Sequence, residues 1–394
     1  MKILIFSALY LPGFKGGGPI RTLANLVHSL GDEFEFYIVT SDRDLGSSTS
    51  YERTQLDQWI DVGLAKVLYA SPQTLSISGI YRLIRGFDCD AIYLNSFFGR
   101  RFSILPFWIA KFALVRNVPV LIAPRGEFSS AALKIKCWRK SIFLYLLRVF
   151  RLHTNTYWQA SSEFERLDIQ RTGLASPSKI VVAPNIFIKT ASQSRYSSEI
   201  KKLSLGSAPK FERVLKVCFL SRISPMKNLD YALRVLAIVK CRLEFHIFGP
   251  VESPEYWAEC ERLMTALPSN IVAEYRGSVA SENVAETIAG YDLFFVPTRG
   301  ENYGHVFIES LSVGVPILLS DQTPWRSLSE KGLGWDVPLD ELGRFSEVID
   351  AVSLLGEDER VGFSQRCIKF AASTSSDGVI VGKSRDMFLG LMKS

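Results

Sequence analysis

The sequence predicts an α/β protein with two Rossmann-like domains, each built on a mainly parallel sheet. Short β-branched and aromatic runs alternate with helix-length amphipathic segments along the whole chain, as they do in βα units. The length of 394 residues exceeds what one hydrophobic core usually organises, which excludes a small binding module. With 47% hydrophobic and 22% charged residues, the composition also excludes a disordered or fibrous protein.

The predicted strands fall into two groups. Those of the first half are Lys2–Ser7, Glu35–Thr40, Ala91–Leu94, Pro119–Ala123, Thr156–Ala160 and Ile180–Ala183, and those of the second half are Leu215–Leu220, Leu243–Phe248, Ile271–Tyr275, Leu293–Pro297 and Val315–Leu319. Between the groups, residues 189–213 are polar and lack an apolar period. We therefore expect domains at 1–200 and 201–375, with residues 376–394 packing back on the first domain.

Basic residues are concentrated in the first half of the chain. Residues 1–200 carry a net charge of +9, and the remainder carries −3. Between Asp90 and Glu163 the sequence has eleven Lys and Arg residues and a single acid, Glu127. Such a field attracts phosphate-bearing partners.

The cysteines and the apolar runs predict a cytoplasmic protein. None of the six cysteines has C-x-x-C spacing, so we interpret them as reduced thiols. The first apolar run is followed by Pro12-Gly13 rather than by a small-x-small cleavage site, and is predicted to be a strand. Later apolar runs are interrupted by Lys111 or Arg148 and fall short of the ~20 residues of a membrane span.

A glycine-bearing loop and then a helix, each with one glutamate, follow the strand that ends at Val296. The layout of strand, loop and helix creates an anion site at the carboxyl edge of a parallel sheet. Glu301 lies on the loop, and Glu309 lies about one turn into the helix. Both could accept hydrogen bonds from ligand hydroxyls. The alternative is a solvated loop acid and a first-turn acid stabilised by the helix dipole.

Two cations follow the strand Leu215–Leu220. Arg222 offers a planar fork to phosphate oxygens and Lys227 a point charge, while Asn228 is predicted to cap a helix that runs from Leu229 to Lys240. An isolated pair of this kind is usually a solvated basic turn. Its place beside the glutamate loop in the same domain favours a phosphate site.

A third candidate is the glycine-rich loop Gly16-Gly17-Gly18, which follows the first strand and precedes a helix that contains Arg21. Glycines let a backbone approach a ligand closely. Neither the dinucleotide fingerprint nor the P-loop motif is present. The alternative is a plain flexible turn.

These elements, in this order, resemble the retaining GT-B glycosyltransferases, in the glycogen-synthase-like family that builds bacterial surface polysaccharides. The resemblance rests on the Gly16-Gly17 loop, on Arg222 and Lys227, and on Glu301 and Glu309 as the Glu, seven residues, Glu motif. Supporting segments are Phe248-Gly249-Pro250, Tyr275-Arg276-Gly277-Ser278-Val279 and Val313-Gly314-Val315-Pro316. It implies two domains that face each other across a nucleotide-binding cleft, the first binding the acceptor and the second binding the nucleotide-sugar.

The resemblance also implies roles for individual residues. Arg222 and Lys227 would neutralise the diphosphate of a UDP- or GDP-sugar, and Glu301 would face the sugar; these three form the expected catalytic set. The expected substrate-binding set is Gly16, Gly17, Gly18, Arg21, Arg125, Glu127, Gly249, Asn302, Tyr303, Gly304, His305 and Glu309. Within it, Glu309 would bind the ribose, and Gly304 and His305 would offer backbone N–H groups.

Retention in this family resembles front-face attack, in which a leaving phosphate oxygen takes the acceptor proton. Neither a metal nor another cofactor is expected. The D-x-D sequence Asp42-Arg43-Asp44 is interpreted as a solvated turn rather than a metal site.

Two first-domain strand ends depart from the family pattern, in which many members carry histidines there. This chain has Asn95 at one end, and Arg125 and Glu127 at the other, so Arg125 or Glu127 would take over part of the role. His28, His153 and His246 lie in or beside apolar runs and are interpreted as structural.

The segment Lys134–Arg151 mixes six cations with aromatic and aliphatic residues. A basic amphipathic helix can lie on anionic lipid, and the family often extends lipid-linked saccharides. We therefore expect a lipid-linked saccharide acceptor and docking on the inner leaflet. The alternative is a core helix whose cations snorkel.

Other functions remain open from the sequence. Sugar-nucleotide epimerases share this architecture, but they would need internal acid and base residues where this chain offers few histidines. The second alternative is a nucleotide-sugar binding protein that has lost catalysis, against which the intact site residues argue. A nucleic-acid binder is disfavoured because the sequence contains no recognisable nucleic-acid-binding module.

Overall fold

Two sheets organise the chain in the computed structural model, which describes residues 1–52, 55–112, 118–129, 132–133, 137–149, 156–188, 214–375 and 378–392. One unit comprises Met1–Ile186 with Asp377–Ser394, and the other comprises Phe187–Ser376. The predicted boundary near residue 200 lies outside the described residues.

The first unit contains an eight-stranded sheet in the order β3-β4-β2-β1-β5-β6-β7-β8. The strands are β1 (Lys2–Phe6), β2 (Glu35–Ser41), β3 (Trp59–Val62), β4 (Ala65–Ala70), β5 (Ala91–Leu94), β6 (Val120–Ile122), β7 (Thr156–Ala160) and β8 (Ile180–Val182). All pairings are parallel except β3 with β4. The helices are α1 (Gly18–Leu30), α2 (Ile77–Gly86), α3 (Leu105–Phe112), α4 (Cys137–Val149) and α5 (Glu163–Arg171), with a π-helical turn at Arg100–Ile104 and a 3₁₀ turn at Pro177–Lys179.

The second unit contains a six-stranded parallel sheet in the order β11-β10-β9-β12-β13-β14. Its strands are β9 (Leu215–Leu220), β10 (Leu243–Phe248), β11 (Ile271–Tyr275), β12 (Leu293–Val296), β13 (Ile317–Ser320) and β14 (Gly334–Val337). Its helices are α6 (Leu229–Leu236), α7 (Pro254–Thr265), α8 (Val284–Ala289), α9 (His305–Ser312), α10 (Leu328–Lys331), α11 (Leu342–Ser353) and α12 (Glu357–Ser375), with a 3₁₀ turn at Ser281–Asn283.

The central strands are apolar because helices cover both faces of each sheet. In β1, residues Ile3 to Phe6 are fully buried, and so are Leu293 to Phe295 in β12. The two units have separate hydrophobic cores. Polar side chains that follow these strands are therefore held on rigid supports.

The structure adds strands β3, β4 and β14, which the sequence analysis did not predict. Strands β3 and β4 form a hairpin in which Val62 pairs with Ala65, leaving Gly63 and Leu64 as a two-residue turn. Gly63 has a φ of 60°, which suits the turns that favour glycine in such hairpins. β14 has four residues that include a glycine and an aspartate, so it carries no apolar run.

A final helix, α13 (Gly378–Leu391), belongs to the first unit. The ring of Phe388 lies 5.4 Å from that of Phe34 and 5.9 Å from those of Phe36 and Tyr93. Arg385 donates two hydrogen bonds to the carboxylate of Glu33 at 2.5 Å each. The C-terminal residues thus complete the core behind α1 and β2.

Among the described residues, no helix combines the length and the apolar character needed to cross a membrane.

Candidate functional site

Lys227 and Glu301 form a buried ion pair at the carboxyl edge of the second sheet. The Lys227 Nζ lies 2.6 Å from the Glu301 Oε2, and the side chains are 12% and 17% exposed. Lys227 follows β9 and Glu301 follows β12, and these strands are neighbours. Because parallel strands end at the same edge of a sheet, two distant loops deliver opposite charges to one point.

The pair sets the protonation state of Glu301. Burial alone would raise the pKa of this carboxyl group, but the charge and the hydrogen bond of Lys227 outweigh burial. The backbone N–H of Asn302 and the charge of Arg222 act in the same direction, so the pKa of Glu301 lies below its usual value. Glu301 is an anion that needs a cation beside it.

Arg222 also lies at this edge but is more exposed than Lys227. It donates to the carboxylate of Glu252 at 2.5 Å, and its side chain is 41% exposed. An exposed ion pair contributes little stability, so Arg222 can exchange its partner easily.

Asn228 joins the two loops: it occupies the predicted N-cap position of α6, but its side chain bonds elsewhere. It adopts the left-handed conformation, with φ of 65°, and its side chain makes no capping bond. Its Nδ2 donates to the carbonyl of Pro297, and its Oδ1 accepts from Nε of Arg299. The helix α6 that follows ends at Leu236 rather than at Lys240.

Thr298 and Arg299 were missed in the sequence analysis, although they complete this connection. The backbone N–H of Arg299 and the hydroxyl of Thr298 both donate to the carbonyl of Met226. Their position directly after a buried strand was the available signal. The loop of Lys227 and the loop of Glu301 therefore form one hydrogen-bonded structure.

Helix α9 begins at His305, behind a left-handed Gly304. A Cβ on Gly304 would lie 2.3 Å from the ring of Phe307, so only glycine fits this turn. Glu309 is 4% exposed and lies beyond the first turn of α9, so the alternative interpretation as a first-turn acid was wrong. A carboxylate is rarely buried unless it has polar partners.

Hydrogen bonds and an aromatic contact hold the residues between Glu301 and His305 in place. The carbonyl of Tyr303 accepts from the indole Nε1 of Trp325 at 2.5 Å. The ring of Tyr303 lies 4.8 Å from that of His305, and burial raises the pKa of Tyr303 to about 12. The backbone N–H of Asn302 donates to Glu301 at 3.0 Å.

Gly249 lies beside this edge, after β10. It has a φ of 133°, and a Cβ there would lie 1.8 Å from the carbonyl oxygen of Ser221. Its N–H donates to the carbonyl of Gly277, and its own carbonyl accepts from the hydroxyl of Tyr275. The glycine is required by close backbone packing next to Arg222.

In the first unit, the glycine-rich loop is braced by Asp44. Gly17 has a φ of 61° and Gly18 begins α1, which also carries the partly buried Arg21, while Gly16 is buried. The Oδ2 of Asp44 accepts from the N–H groups of Phe14 and Lys15 at 2.9 and 3.1 Å. Asp44 therefore holds the backbone directly before the three glycines.

The interpretation of Asp42-Arg43-Asp44 as a solvated turn was wrong. Both carboxylates are buried, at 7% and 9% exposure. Asp42 pairs with the guanidinium of Arg43 at 2.8 Å, which holds the pKa of Asp42 below its usual value. Across the described ranges, no three His, Cys, Asp or Glu side chains cluster as a metal site would require.

Arg125 and Glu127 form hydrogen bonds with residues that follow strands β5 and β8 of the first sheet. Arg125 donates to Asn95 at 2.8 Å and to Asn185 at 2.7 Å. Glu127 accepts from the N–H groups of Phe97 and Phe98 at 2.7 and 2.8 Å, and burial raises its pKa. Glu127 therefore positions the backbone after β5.

The histidines interpreted as structural differ in their surroundings. His246 is buried, its Nδ1 lies 2.9 Å from the hydroxyl of Tyr291, and burial lowers its pKa. His28 is exposed on α1, so it is not part of the core. His153 lies outside the described residues.

Helix α4 presents apolar side chains to solvent. Trp138, Ile142, Tyr145 and Val149 are 62%, 52%, 63% and 55% exposed, at helical spacing. We name these four residues the α4 face. Lys134, Lys136 and Arg151 lie outside the described residues, and so does the side chain of Arg139. Leu144 and Leu147 are buried in the core of the first unit, as the alternative of a core helix predicts, while the other described side chains of α4 are partly or fully exposed.

The family comparison matches the part of the chain that holds the Lys227–Glu301 pair. Residues 202–360 match the family model described as glycosyl transferases group 1. A Klebsiella pneumoniae protein, described as an uncharacterized 41.2 kDa protein in the cps region, is 23% identical over 286 residues, covering 72% of this chain and 74% of the relative.

Solved structures share the whole architecture. Anabaena Alr3699/HepE in complex with UDP-glucose has a TM-score of 0.68 at 15% identity, with 100% of both chains covered. WaaG, described as a glycosyltransferase involved in lipopolysaccharide biosynthesis, has a TM-score of 0.65 at 12% identity, with 99% of both chains covered. These likenesses confirm the predicted fold class and the resemblance to GT-B proteins.

Proposed function

We propose that this chain, which carries a glycosyl transferases group 1 domain on a GT-B fold, is a retaining glycosyltransferase. It moves a sugar from a UDP- or GDP-sugar to a lipid-linked saccharide acceptor in surface polysaccharide synthesis. The UDP-glucose in the HepE structure supports the donor class, and the cps-region relative supports the pathway class.

The Lys227–Glu301 pair is the observation that carries this proposal. The buried ammonium of Lys227 is held by a single anion 2.6 Å away. The diphosphate of a nucleotide-sugar can replace that anion and bring further negative charge. Glu301 is then released toward the sugar hydroxyls, for which an ionised carboxylate is a strong acceptor.

Charge stabilisation follows from the same geometry. When the bond from the anomeric carbon to the phosphate oxygen breaks, negative charge grows on the leaving diphosphate. Lys227 and Arg222 stabilise that charge, and preorganised cations of this kind lower the barrier. The acceptor oxygen bonds to the anomeric carbon from the same face, and its proton passes to the leaving phosphate oxygen.

This scheme uses protein cations where other transferases use a metal. We propose that the enzyme needs neither a metal nor another cofactor. The predicted result is that transfer continues unchanged in excess EDTA.

We propose that Glu309 binds the ribose of the donor. Its carboxylate lies on α9, eight residues after Glu301, and the helix begins at the loop that faces the diphosphate. The positive end of a helix dipole and the backbone N–H groups there favour an anion.

The α4 face supports a peripheral position on the inner leaflet of the membrane. A bilayer interface takes up exposed Trp and Tyr readily because each ring has an apolar body and a polar edge. The basic residues Lys140 and Arg148 of the same helix donate to the carbonyls of Ala132 and Thr172, so the proposal rests on the exposed apolar side chains. We therefore propose a cytoplasmic enzyme that meets its lipid-linked acceptor at the membrane surface.

The experiment is proton NMR of the purified protein with UDP- and GDP-sugars, with and without membrane lipid extract. Acceptor-dependent loss of one donor with an α-configured product is the expected result. Lys227→Ala should abolish it, whereas Lys66→Ala, at an exposed ion pair, should not. A donor that interconverts with its epimer without acceptor would establish an epimerase, and binding without turnover would establish a binding protein.

A further inference from the structure

The guanidinium of Arg125, at the carboxyl edge of the first sheet, donates hydrogen bonds to neutral groups. It donates to Asn95 Oδ1 at 2.8 Å, to Asn185 Oδ1 at 2.7 Å and to the Tyr93 hydroxyl at 2.5 Å. These partners come from β5, from the segment after β5 and from the segment after β8. Three of its five N–H groups are therefore used, and no acceptor in the described part of the chain takes the other two.

The positive charge of Arg125 has no carboxylate partner among the described residues. The nearest acids of neighbouring elements are committed elsewhere. Glu165 accepts from the N–H of Gly126 and from both the N–H and the hydroxyl of Ser161. Glu127 accepts from the backbone after β5. A half-buried guanidinium with only neutral acceptors attracts an external anion.

The backbone at this position is held in an unusual conformation. Arg125 has a φ of 55°, in the left-handed region that side-chain-bearing residues seldom occupy, and Gly126 follows with 79°. Such a conformation persists only when its surroundings enforce it, and it is found preferentially at functional sites. Three hydrogen bonds fix the direction of the guanidinium at this position.

We infer that Arg125 binds an anionic group of the acceptor. The inference rests on the proposed function and on the acceptor-binding role that the family resemblance implies for the first domain. Two sources offer the same chemistry: the carboxylate of an acidic sugar, or a phosphate of the linkage to lipid. Both match the planar fork of a guanidinium.

The test is an NMR titration of the full chain with three probes: methyl β-glucuronide, neutral methyl β-glucoside and inorganic pyrophosphate. Each is measured with wild type, Arg125→Gln, Arg125→Lys and Arg82→Gln. Arg82 is an exposed arginine of the same unit and serves as the matched control. Pyrophosphate is measured in the Lys227→Ala background, so that the second domain does not dominate its binding.

Support is at least tenfold weaker binding of one anionic probe in Arg125→Gln, with a smaller loss in Arg125→Lys and none in Arg82→Gln. Loss of glucuronide binding identifies a carboxylate, and loss of pyrophosphate binding identifies a phosphate. If wild type binds both anions no better than the glucoside, or if Arg125→Gln binds them equally well, the inference is wrong.

Thermal unfolding of each variant separates loss of the site from loss of the fold. If Arg125→Gln does not fold, Arg125→Lys decides, because it keeps the charge but not the fork; undiminished anion binding there overturns the role of the fork. Arg125-dependent anion binding without any sugar transfer would keep this site and reject the proposed function. Sugar transfer that Arg125→Gln leaves unchanged would keep the proposed function and reject the Arg125 site.

Discussion

Lys227 and Glu301, separated by 74 residues in sequence, meet at 2.6 Å in a buried ion pair. The two loops that carry them are also joined by hydrogen bonds from Asn228, Thr298 and Arg299. Each charge is compensated by the other before any ligand arrives. Ligand binding and stability at this edge therefore depend on the same two side chains.

Removal of one partner should cost more than removal of both. Lys227→Met leaves a buried carboxylate without its cation, and we expect a loss of about 3 kcal/mol or more in the free energy of unfolding. The double variant Lys227→Met/Glu301→Gln should recover most of that loss. Urea unfolding measures both. Lys66→Met, at the exposed pair with Asp61, should change the free energy by less than about 1 kcal/mol; equal losses in the two lysine variants would contradict a buried pair.

The stability of the protein should fall in acid partly through Glu301. Its folded pKa lies below the ordinary 4.5, so its contribution is present above that pH and is lost as the pH falls through the folded pKa. Glu301→Gln removes a proton-binding site and should flatten this part of the curve. The measurement is urea unfolding at several values between about pH 7 and about pH 3. Glu347→Gln, at an exposed pair, should keep the wild-type slope.

A methyl group at Gly249 should be poorly tolerated. The added Cβ would meet the Ser221 carbonyl oxygen at 1.8 Å, and backbone cannot yield cheaply. We expect Gly249→Ala to lower the free energy of unfolding by about 3 kcal/mol or more. Gly343→Ala is the control, because Gly343 lies in α11 with nothing within 4 Å of its Cβ position. Alanine there should be neutral or stabilising by up to about 1 kcal/mol.

Asp44 should control the glycine-rich loop. Asp44→Ala leaves the N–H groups of Phe14 and Lys15 without their acceptor, at a cost of about 1 to 3 kcal/mol. If the loop binds the donor, as the family resemblance implies, the donor KM should rise as well. Urea unfolding and donor titration measure the two effects. Asp61→Ala, in the same unit and 78% exposed, should change neither, and a matching change there would remove the case for Asp44.

The α4 face should be required for membrane binding. Trp138→Ser/Ile142→Ser/Tyr145→Ser removes three exposed apolar side chains, each of which contributes about 1 kcal/mol or more if buried in lipid. We expect at least a tenfold loss of flotation with vesicles that contain phosphatidylglycerol. Ile77→Ser, at a 66% exposed residue of the same unit, should float like wild type. Unchanged flotation of the triple variant would reject the membrane assignment.

The periodicity of the sequence was enough to predict most of the fold. Buried parallel strands such as β1 and β12 have continuous apolar runs, which stand out against polar loops. β4 carries a comparable run but was missed, because the turn signal at Gly63 and Leu64 was not used. β14 could not be found, since its four residues become a strand only through pairing with β13.

The sequence predicted which types of residue lie at the candidate site, but not which of them contact each other. The carboxyl ends of β9 and β12 were identified, since a cation or carboxylate directly after a buried strand is a local signal. The pairing of Lys227 with Glu301 depends on strand order, which no local pattern contains. Asp42 and Asp44 were misjudged for the same reason. Two acids in a polar loop predict solvation, and their burial depends on Arg43 and on the distant backbone of Phe14.

Helix α13 gives the chain an unusual order of completion during synthesis. The aromatic side chains Phe34 and Phe36 leave the ribosome early, but their partner Phe388 is translated only after the whole second unit. Domains generally fold as units as the chain emerges, with the N-terminal one first. Here the aromatic side chains of the N-terminal unit stay without this partner until α13 has been translated. Completion of the first domain therefore depends on synthesis of the second.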